Sequence, residues 1–434
     1  MNNEMNLKVK NFGVINKANI RLKKLNIVAG ENCSGKSTLS KLLYCFLMPN
    51  SNECYYLVNL DMYYRFSDIV SHWKFKISLL DSGVNFLVFL EKEYFEYHNE
   101  FRKKYFKQIM AGQIKALKYF LKNINFYWND LIFNEINDLE RLMDVTYDKH
   151  NMYYNLSSRL LNCEFNFDEL SLSDAEVCFY AKVDDCDGFY EIDFNQDNIG
   201  AKISENYSNS LDFDEVVYID SSAISVFEES FKSDEKNFNH TYILSKQLKI
   251  NKNEAVGVDF EKIAVIQNKI EEMTGGGIYF GRNENKYLFK KDGKTFSMNN
   301  ISSGIKQMSI IQILLEKNIL NENSFLIIDN PEVNLHQDWQ LRFAELLILL
   351  IKQLDIYIYI NSNSPLFIEA LEVFSAKYGL CDESGFYLSF GDGDGGFSFK
   401  EIERKNLNVL YDNLGNPYDK IDKIRIENAI EGIF

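Results

Sequence analysis

Seven cysteines stand at positions 33, 45, 54, 163, 178, 186 and 381, and no two of them form a Cys-x-x-Cys pair. Scattered in this way, and with no secretory signal read at the N-terminus, they point to a reduced compartment with single thiols packed as small hydrophobes. No apolar run is long enough to span a bilayer. The richest stretch, Leu346 to Ile351 with Ile356 to Ile360, is broken by Lys352, Gln353 and Asp355. With no secretory signal read at the N-terminus, the expectation is a cytoplasmic chain without a membrane partner. Basic residues number 47 against 63 acids, a formal net charge of −16. Such a chain is not built to coat nucleic acid by itself, because neutralising phosphates takes basic residues in quantity. Prolines number only 4 while Asn, Lys, Ile, Tyr and Phe abound. An AT-rich coding genome produces that bias, which carries no structural conclusion. Repeats and low-complexity tracts are missing.

What is present belongs to a folded chain: 46% apolar and 25% charged residues, and enough length for two or three structural units. Leu7 to Phe12 and Ala18 to Leu22 alternate with period two, as strands do. From about 55 to 160 the stripes have helical spacing, as in Ile114-Leu117-Phe120-Leu121. Within that stretch, 101–125 carries Arg102, Lys103, Lys104, Lys107, Lys115, Lys118 and Lys122 with no acid. It is either a solvated helix face or a docking surface for nucleic acid or an acidic partner. Short strands return at Glu176 to Ala181, Phe189 to Phe194 and Val216 to Asp220, followed by helices over 225–275 and a turn at Gly275-Gly276-Gly277. Two further strands, around Ile278 to Phe280 and Tyr287 to Phe289, are joined by 282–285.

The chemistry concentrates in Gly30-Glu31-Asn32-Cys33-Ser34-Gly35-Lys36-Ser37-Thr38, a full match to G-x-x-x-x-G-K-[ST]. A short apolar strand, Leu25 to Ala29, precedes it, and Leu39 to Phe46 follows with helical spacing. Strand, glycine loop and helix is the context this pattern needs to hold phosphates: backbone amides and a helix N-terminus present fixed positive ends. Lys36 is expected at the β/γ-phosphates of ATP and Ser37 on Mg²⁺. Far downstream, Ser324 to Ile328 is an apolar run ending in Asp329, the pattern of a second Mg²⁺ ligand. Between them, Ile301 to Gln307 opens a helical segment whose Ser302, Ser303 and Gly304 read either as an N-cap or as a second anion-binding end. After Asp329, the strand Ile356 to Ile360 leads into Asn361-Ser362-Asn363-Ser364-Pro365.

This order resembles the ABC-type heads of bacterial AAA-family ATPases, a class that includes RecF, SMC and the overcoming-lysogenization-defect proteins. Asp329-Asn330-Pro331-Glu332-Val333-Asn334-Leu335-His336 is similar to the D-E-P-E-x-x-L-H segment of one bacterial subset. Asn330, the run 361–371 and Glu372 to Tyr378 look like the ATPase subunit of Septu-type antiphage defence systems. The resemblance covers roughly residues 1–48 and 275–380. It implies an α/β head, with a mixed sheet, a P-loop core and antiparallel N-terminal strands, interrupted by a large mainly helical insert. The head is expected to occupy 1–50 and 211–380, with an inserted helical/β domain at 51–210 and a β-hairpin and tail at 381–434. It further implies a homodimer or higher oligomer in which two protomers sandwich ATP. Ser302, Ser303 and Gly304 of one protomer would then face the phosphate loop of the other. A partner nuclease, most simply of the HNH kind, and nucleic acid contacted through the complex follow from the same likeness.

Two positions depart from the family. Asn330 stands where a catalytic Glu follows the Asp, and Asn363 where a switch His precedes Ser-Pro. An Asn positions a water but cannot take its proton, which puts about 10²–10⁴ of general-base assistance at risk. Glu332 is the candidate substitute base, or else a structural group beside Pro331. His336 belongs to a loop expected to cross to the partner, or is a satisfied interface histidine. The expectation is an ATP-binding regulator with weak or absent hydrolysis. The competing reading is a DNA repair or maintenance ATPase that hydrolyses while clamping DNA; net acidity and the absence of heptad arms stand against it. An intrinsic nuclease is weaker still. Asp392 and Asp394 imitate a D-x-D metal pair, but flanking apolar strands read as a hairpin loop.

Overall fold

The computed structural model describes residues 4–51, 129–146, 149–165, 175–183, 186–195, 198–203, 213–227, 239–248, 260–281, 284, 286–333 and 335–430, with scattered positions between 111 and 122. Three strands open the chain, β1 (Glu4–Phe12), β2 (Ile15–Leu22) and β3 (Leu25–Ala29), before helix α1 (Lys36–Leu47). Helices α2 (Asn129–Thr146) and α3 (Lys149–Phe165) precede strands β4 (Ala175–Val183), β5 (Cys186–Asn195), β6 (Asn198–Ile203) and β7 (Glu215–Ile219). Next come α4 (His240–Gln247), α5 (Phe260–Thr274), β8 (Gly277–Gly281), β9 (Lys286–Lys291), β10 (Lys294–Ser297) and α6 (Ser303–Glu316). The chain ends through β11 (Ser324–Asp329), α7 (Gln337–Leu354), β12 (Tyr357–Ser362), α8 (Pro365–Lys377), β13 (Ser384–Gly391), β14 (Phe397–Glu401) and α9 (Asn408–Ile430).

Two compact units divide the chain, Met1–Ser51 with Leu160–Phe434, and Asn52–Arg159. The first unit holds an eleven-stranded sheet in the order β6-β5-β4-β1-β2-β14-β13-β3-β12-β11-β7. Strands β13, β3, β12, β11 and β7 run parallel, and β6, β5, β4, β1 and β2 form an antiparallel wing. The class is therefore α/β, with a mixed sheet, a P-loop core and antiparallel N-terminal strands. Sequence reading placed 174–203 with the insert. Those strands instead extend the sheet, because β4 pairs with β1 along Glu4 to Lys10. Two strands, β6 and β10, had no expectation: both are short and neither alternates cleanly.

Alternation explains which side of each strand meets which layer. In β1, Met5, Leu7, Val9 and Phe12 are buried, and their polar neighbours are not. All five residues of β3 are buried, as expected of a central parallel strand covered on both faces. Leu25, Ile27, Val217, Ile219, Leu326, Ile328, Ile358 and Ile360 point into one core with α5, α6, α7 and α8. The intervening residues face α1: Tyr218 packs edge-on against Tyr44, and Asn361 bonds to Ser40. Register sets Asp329 opposite Asn361 and Ile328 opposite Ile219, so Tyr218, Asp329 and Asn361 share the α1 face.

In the second unit, α2 buries Ile136 and Leu139, and its Glu140 pairs with Lys118 of the basic stretch. Most of 101–125 lies outside the described residues, and so does most of the loop 282–285. Asp392 and Asp394 sit at the tip of the β13–β14 hairpin, where the Asn16 side-chain amide donates to both. Among the described residues no cluster of three metal-ligating side chains occurs, and no helix is long and apolar enough to cross a membrane.

Candidate functional site

The loop between β3 and α1 is shaped by two glycines, each against a neighbour that leaves no room for a side chain. A Cβ on Gly30 would overlap Ser389 of β13 and lie 2.9 Å from Ser34 Oγ. Gly35 has φ 92°, and a Cβ there would stand 2.7 Å from Ile15 at the start of β2. Cys33 also adopts a left-handed φ of 64°. The chain therefore turns twice within six residues and enters α1 with Lys36, Ser37 and Thr38 in its first turn, where backbone N–H groups lack intrahelical acceptors. Glu31, Asn32 and Cys33 are exposed, Ser37 and Thr38 half-buried, and Ser34 and Lys36 buried.

The Lys36 ammonium donates to the carbonyls of Gly30 at 2.7 Å and Glu31 at 2.6 Å. Burial pushes its pKa down, while the carboxylates of Asp329 and Glu332, next in order of effect, pull it back up. Its third proton and the free loop amides leave a cationic cradle. Ser34 Oγ is buried there with no hydrogen-bond partner among the described residues. A phosphate chain fits this donor set: orphan donors, a buried cation and a backbone no side chain can obstruct.

Asp329 closes β11 on the same face. Its Oδ1 accepts from the side-chain amides of Asn361 at 3.0 Å and Asn330 at 3.1 Å, and its Oδ2 from the Tyr218 hydroxyl at 3.4 Å. A carboxylate has about four lone-pair sites, so three donors leave one for a cation. Ser37 and Asp329, both hard oxygen donors, have the chemistry that would hold Mg²⁺. Asn330 has φ 53°, a left-handed position that Asn tolerates and that turns the chain off the strand. Its backbone N–H donates to Asn361, and its side chain is turned onto Asp329.

Glu332 is buried, 6% exposed. Its Oε1 accepts from Ser362 Oγ at 2.7 Å and from the Asn363 backbone at 3.0 Å, while Oε2 is buried without a partner among the described residues. Burial raises its pKa above the ordinary carboxylate range, and those two hydrogen bonds resist the rise. The Asn363 side chain donates to Asn32 Oδ1 of the phosphate loop at 2.8 Å, so the 361–365 segment and the loop are joined directly. Ser364 caps α8 by accepting from Phe367 N–H, with Pro365 as the first helical residue.

Ser302 occupies the N-cap of α6, yet its side chain makes no cap bond, and it is exposed. Ser303 is half-buried; a Cβ on Gly304 would come within 2.9 Å of Leu335 and 3.6 Å of Trp339. One turn on, Gln307 donates to the Pro331 carbonyl at 3.0 Å. The α6 terminus is therefore seated on the segment after Asp329, and none of residues 302–304 bonds to the 30–38 loop among the described residues. His336 caps α7 by accepting from Asp338 N–H and is exposed.

Sequence reading did not single out Ser40 and Tyr218, and named Asn361 and Ser362 only as part of a run. Ser40 Oγ accepts from Asn361 at 2.8 Å, and two acceptors lie within reach of its single proton, Tyr218 OH at 2.8 Å and the Ser37 carbonyl at 3.1 Å. The available signal was weak: Ser40 is one helical turn after Ser37, hence on its face.

No curated protein matches the chain at a significant level. Solved structures with low identity to it include the SMC head domain from Thermotoga maritima, at 9% identity over 93% of this chain and 100% of that one, TM-score 0.41. An Smc head domain with an extended coiled coil, bound to the C-terminal domain of ScpA derived from Pyrococcus furiosus, shares 9% identity over 98% and 100%, TM-score 0.45. The recombination mediator protein RecF shares 11% over 92% and 98%, TM-score 0.36. A family profile described as AAA ATPase domain, AAA_15, matches residues 5–358, which span the phosphate loop and Asp329 and end at the start of β12. The chain belongs to this AAA ATPase domain family, and nucleotide binding comes with membership.

Proposed function

We propose that this chain is the ATP-binding regulatory subunit of an antiphage defence complex, and that its nucleotide state controls a partner nuclease. The observation that carries the regulatory part is the state of the three groups expected to handle the attacking water. Asn330 has no basic atom and is turned onto Asp329. Asn363 is spent on Asn32. Glu332 is held by Ser362 and the Asn363 backbone, with its free oxygen buried. Binding groups are complete, whereas a poised proton acceptor is not among them.

In this reading Gly30 to Thr38 wrap the triphosphate, Lys36 neutralises it, and Ser37 with Asp329 hold Mg²⁺, which would supply charge neutralisation at the β- and γ-oxygens. Ser302, Ser303 and Gly304 serve the facing protomer, giving an ABC-type homodimer closed over ATP. Support for that role lies in the exposed, uncapped Ser302 at the α6 terminus. The likeness of Asn330 and 361–378 to Septu-type ATPase subunits supports the defence role and the HNH-type partner. Occupancy, rather than turnover, would set the partner nuclease on or off.

Steady-state phosphate release tests the reading. Turnover is expected orders of magnitude below the ordinary enzyme median of about 10 s⁻¹. Glu332→Gln should remove any residue of it if Glu332 acts as the base. Lys36→Ala should weaken ATP binding by about 1.5–3 kcal/mol. Ser303→Arg should block ATP-dependent assembly in light scattering while leaving ATP affinity close to wild type. Brisk wild-type hydrolysis that survives Glu332→Gln would instead favour a cycling DNA clamp.

A further inference from the structure

A second buried polar array lies beneath the nucleotide groups, on the α1 face of the sheet. At its centre is Tyr218 of β7, 1% exposed, whose hydroxyl stands between Ser40 Oγ at 2.8 Å and Asp329 Oδ2 at 3.4 Å. Its ring is gripped from two sides. Tyr44 of α1 meets it edge-on, with centroids 5.6 Å apart, and the His240 imidazole lies 4.4 Å away, tilted by 47°. His240, at the start of α4, is itself fixed at both ends. Nδ1 lies 2.9 Å from both Glu164 oxygens, and Nε2 is 3.0 Å from Asp220 Oδ2. Glu164 also takes the His240 backbone N–H at 2.6 Å and an ion pair from Lys41 of α1 at 3.2 Å. Asp220 is locked in turn by the N–H and hydroxyl of Ser222.

Well-packed apolar side chains would join sheet to helix at no greater cost than this array, since burying charges carries a desolvation penalty. What such packing could not do is fix the direction of a phenol. The Ser40 contact is the shorter of the two, so Ser40 is the anchor and Asp329 the group being aimed. With the one phenol proton given to Asp329, Ser40 donates its own to the Tyr218 oxygen, the Ser37 carbonyl at 3.1 Å being its other acceptor within reach, and Asn361 holds the opposite carboxylate oxygen, so the two Asp329 oxygens are restrained from different strands.

We propose that Tyr218 is a positioning residue for the Mg²⁺-binding carboxylate: its hydroxyl ties Asp329 to Ser40 of the phosphate-loop helix, and the His240 ring, held between Glu164 and Asp220, fixes the phenol that carries it. The proposal rests on the nucleotide reading given above. Its consequence is specific. Losing the hydroxyl alone should leave the phosphate cradle intact and impair only the part of nucleotide affinity that depends on the divalent ion.

The test is titration of ATP into the full chain with excess Mg²⁺ and again with a chelator, for wild type, Tyr218→Phe, Ser40→Ala and Lys36→Ala. Tyr218→Phe keeps the ring and its packing. It should reduce the gain in affinity brought by Mg²⁺ about three- to tenfold, the range for one hydrogen bond, with chelator-state affinity unchanged. Ser40→Ala removes the anchor and should act in the same direction, which covers the case where Tyr218→Phe folds poorly. A purely structural role would lower both affinities together along with the melting temperature, and that result overturns the proposal, as does an unaltered Mg²⁺ gain. Wild type that fails to bind ATP, or Lys36→Ala that binds equally well, would remove the nucleotide reading and this proposal with it.

Discussion

His240 gives the sharpest test of the buried architecture, because its charge state is dictated by geometry. Two carboxylates hold the two ring nitrogens, so both nitrogens must donate and the ring is an imidazolium. Burial alone would lower its pKa, but the bonds to Asp220 and Glu164 outweigh it and raise the value to about 9 from 6.5. Asp220, seen from the other side of the same pairing, is held down at about 2. The two shifts describe one interaction and are not summed. A rise from 6.5 to about 9 corresponds to about 3 kcal/mol, at about 1.4 kcal/mol per unit, and His240 is too buried for solvent to screen it much. Since the folded value is raised, the contribution is complete below pH about 6.5 and disappears as pH climbs through about 9. Urea unfolding of wild type and His240→Gln, followed by far-ultraviolet circular dichroism from pH 6 to 10, measures it. The stability gap should be widest near pH 6 and narrow steadily toward pH 10. Parallel curves would refute the doubly paired imidazolium.

Two other perturbations read the phosphate loop and its neighbour. Gly30→Ala should abolish ATP binding in equilibrium titration, because its Cβ would overlap Ser389, and Ser389→Gly should restore part of the affinity by opening that space. Asn330→Ala should cost about 1 kcal/mol in urea unfolding, since Ala is poorer than Asn at the left-handed φ of 53°. Asn330→Gly should be nearly neutral there, and an equal loss for both would place the cost in the Asp329 hydrogen bond instead.

The sequence by itself determined what is local. The 30–38 loop was legible because glycines at 30 and 35, a buried strand before them and a helix after them are contiguous, and each acts through its own backbone. Asp329 was legible for the same reason, as an acid ending an apolar strand. The α/β class came with the resemblance these motifs carry, and alternation in β1 and β2 with a mostly apolar run in β3 agreed with it. Tertiary structure alone decided which side chains meet. Tyr218, Asp329, Asn361 and Ser40 come from positions separated by 32 to 321 residues, and converge because β7, β11 and β12 lie side by side with one face toward α1. Period-two alternation says that Tyr218 and Asn361 leave their strands on the face opposite Ile219 and Ile360, but not which strand is the neighbour. The same limit hid the place of β4 and β5: their residues show strand patterning, while the pairing of β4 with β1 depends on an edge some 170 residues upstream that sequence spacing does not reveal. Glu332 was legible as a candidate carboxylate; its burial against Ser362 and the Asn363 backbone, and the buried charge cost that raises its pKa, exist only once β12 is laid beside β11.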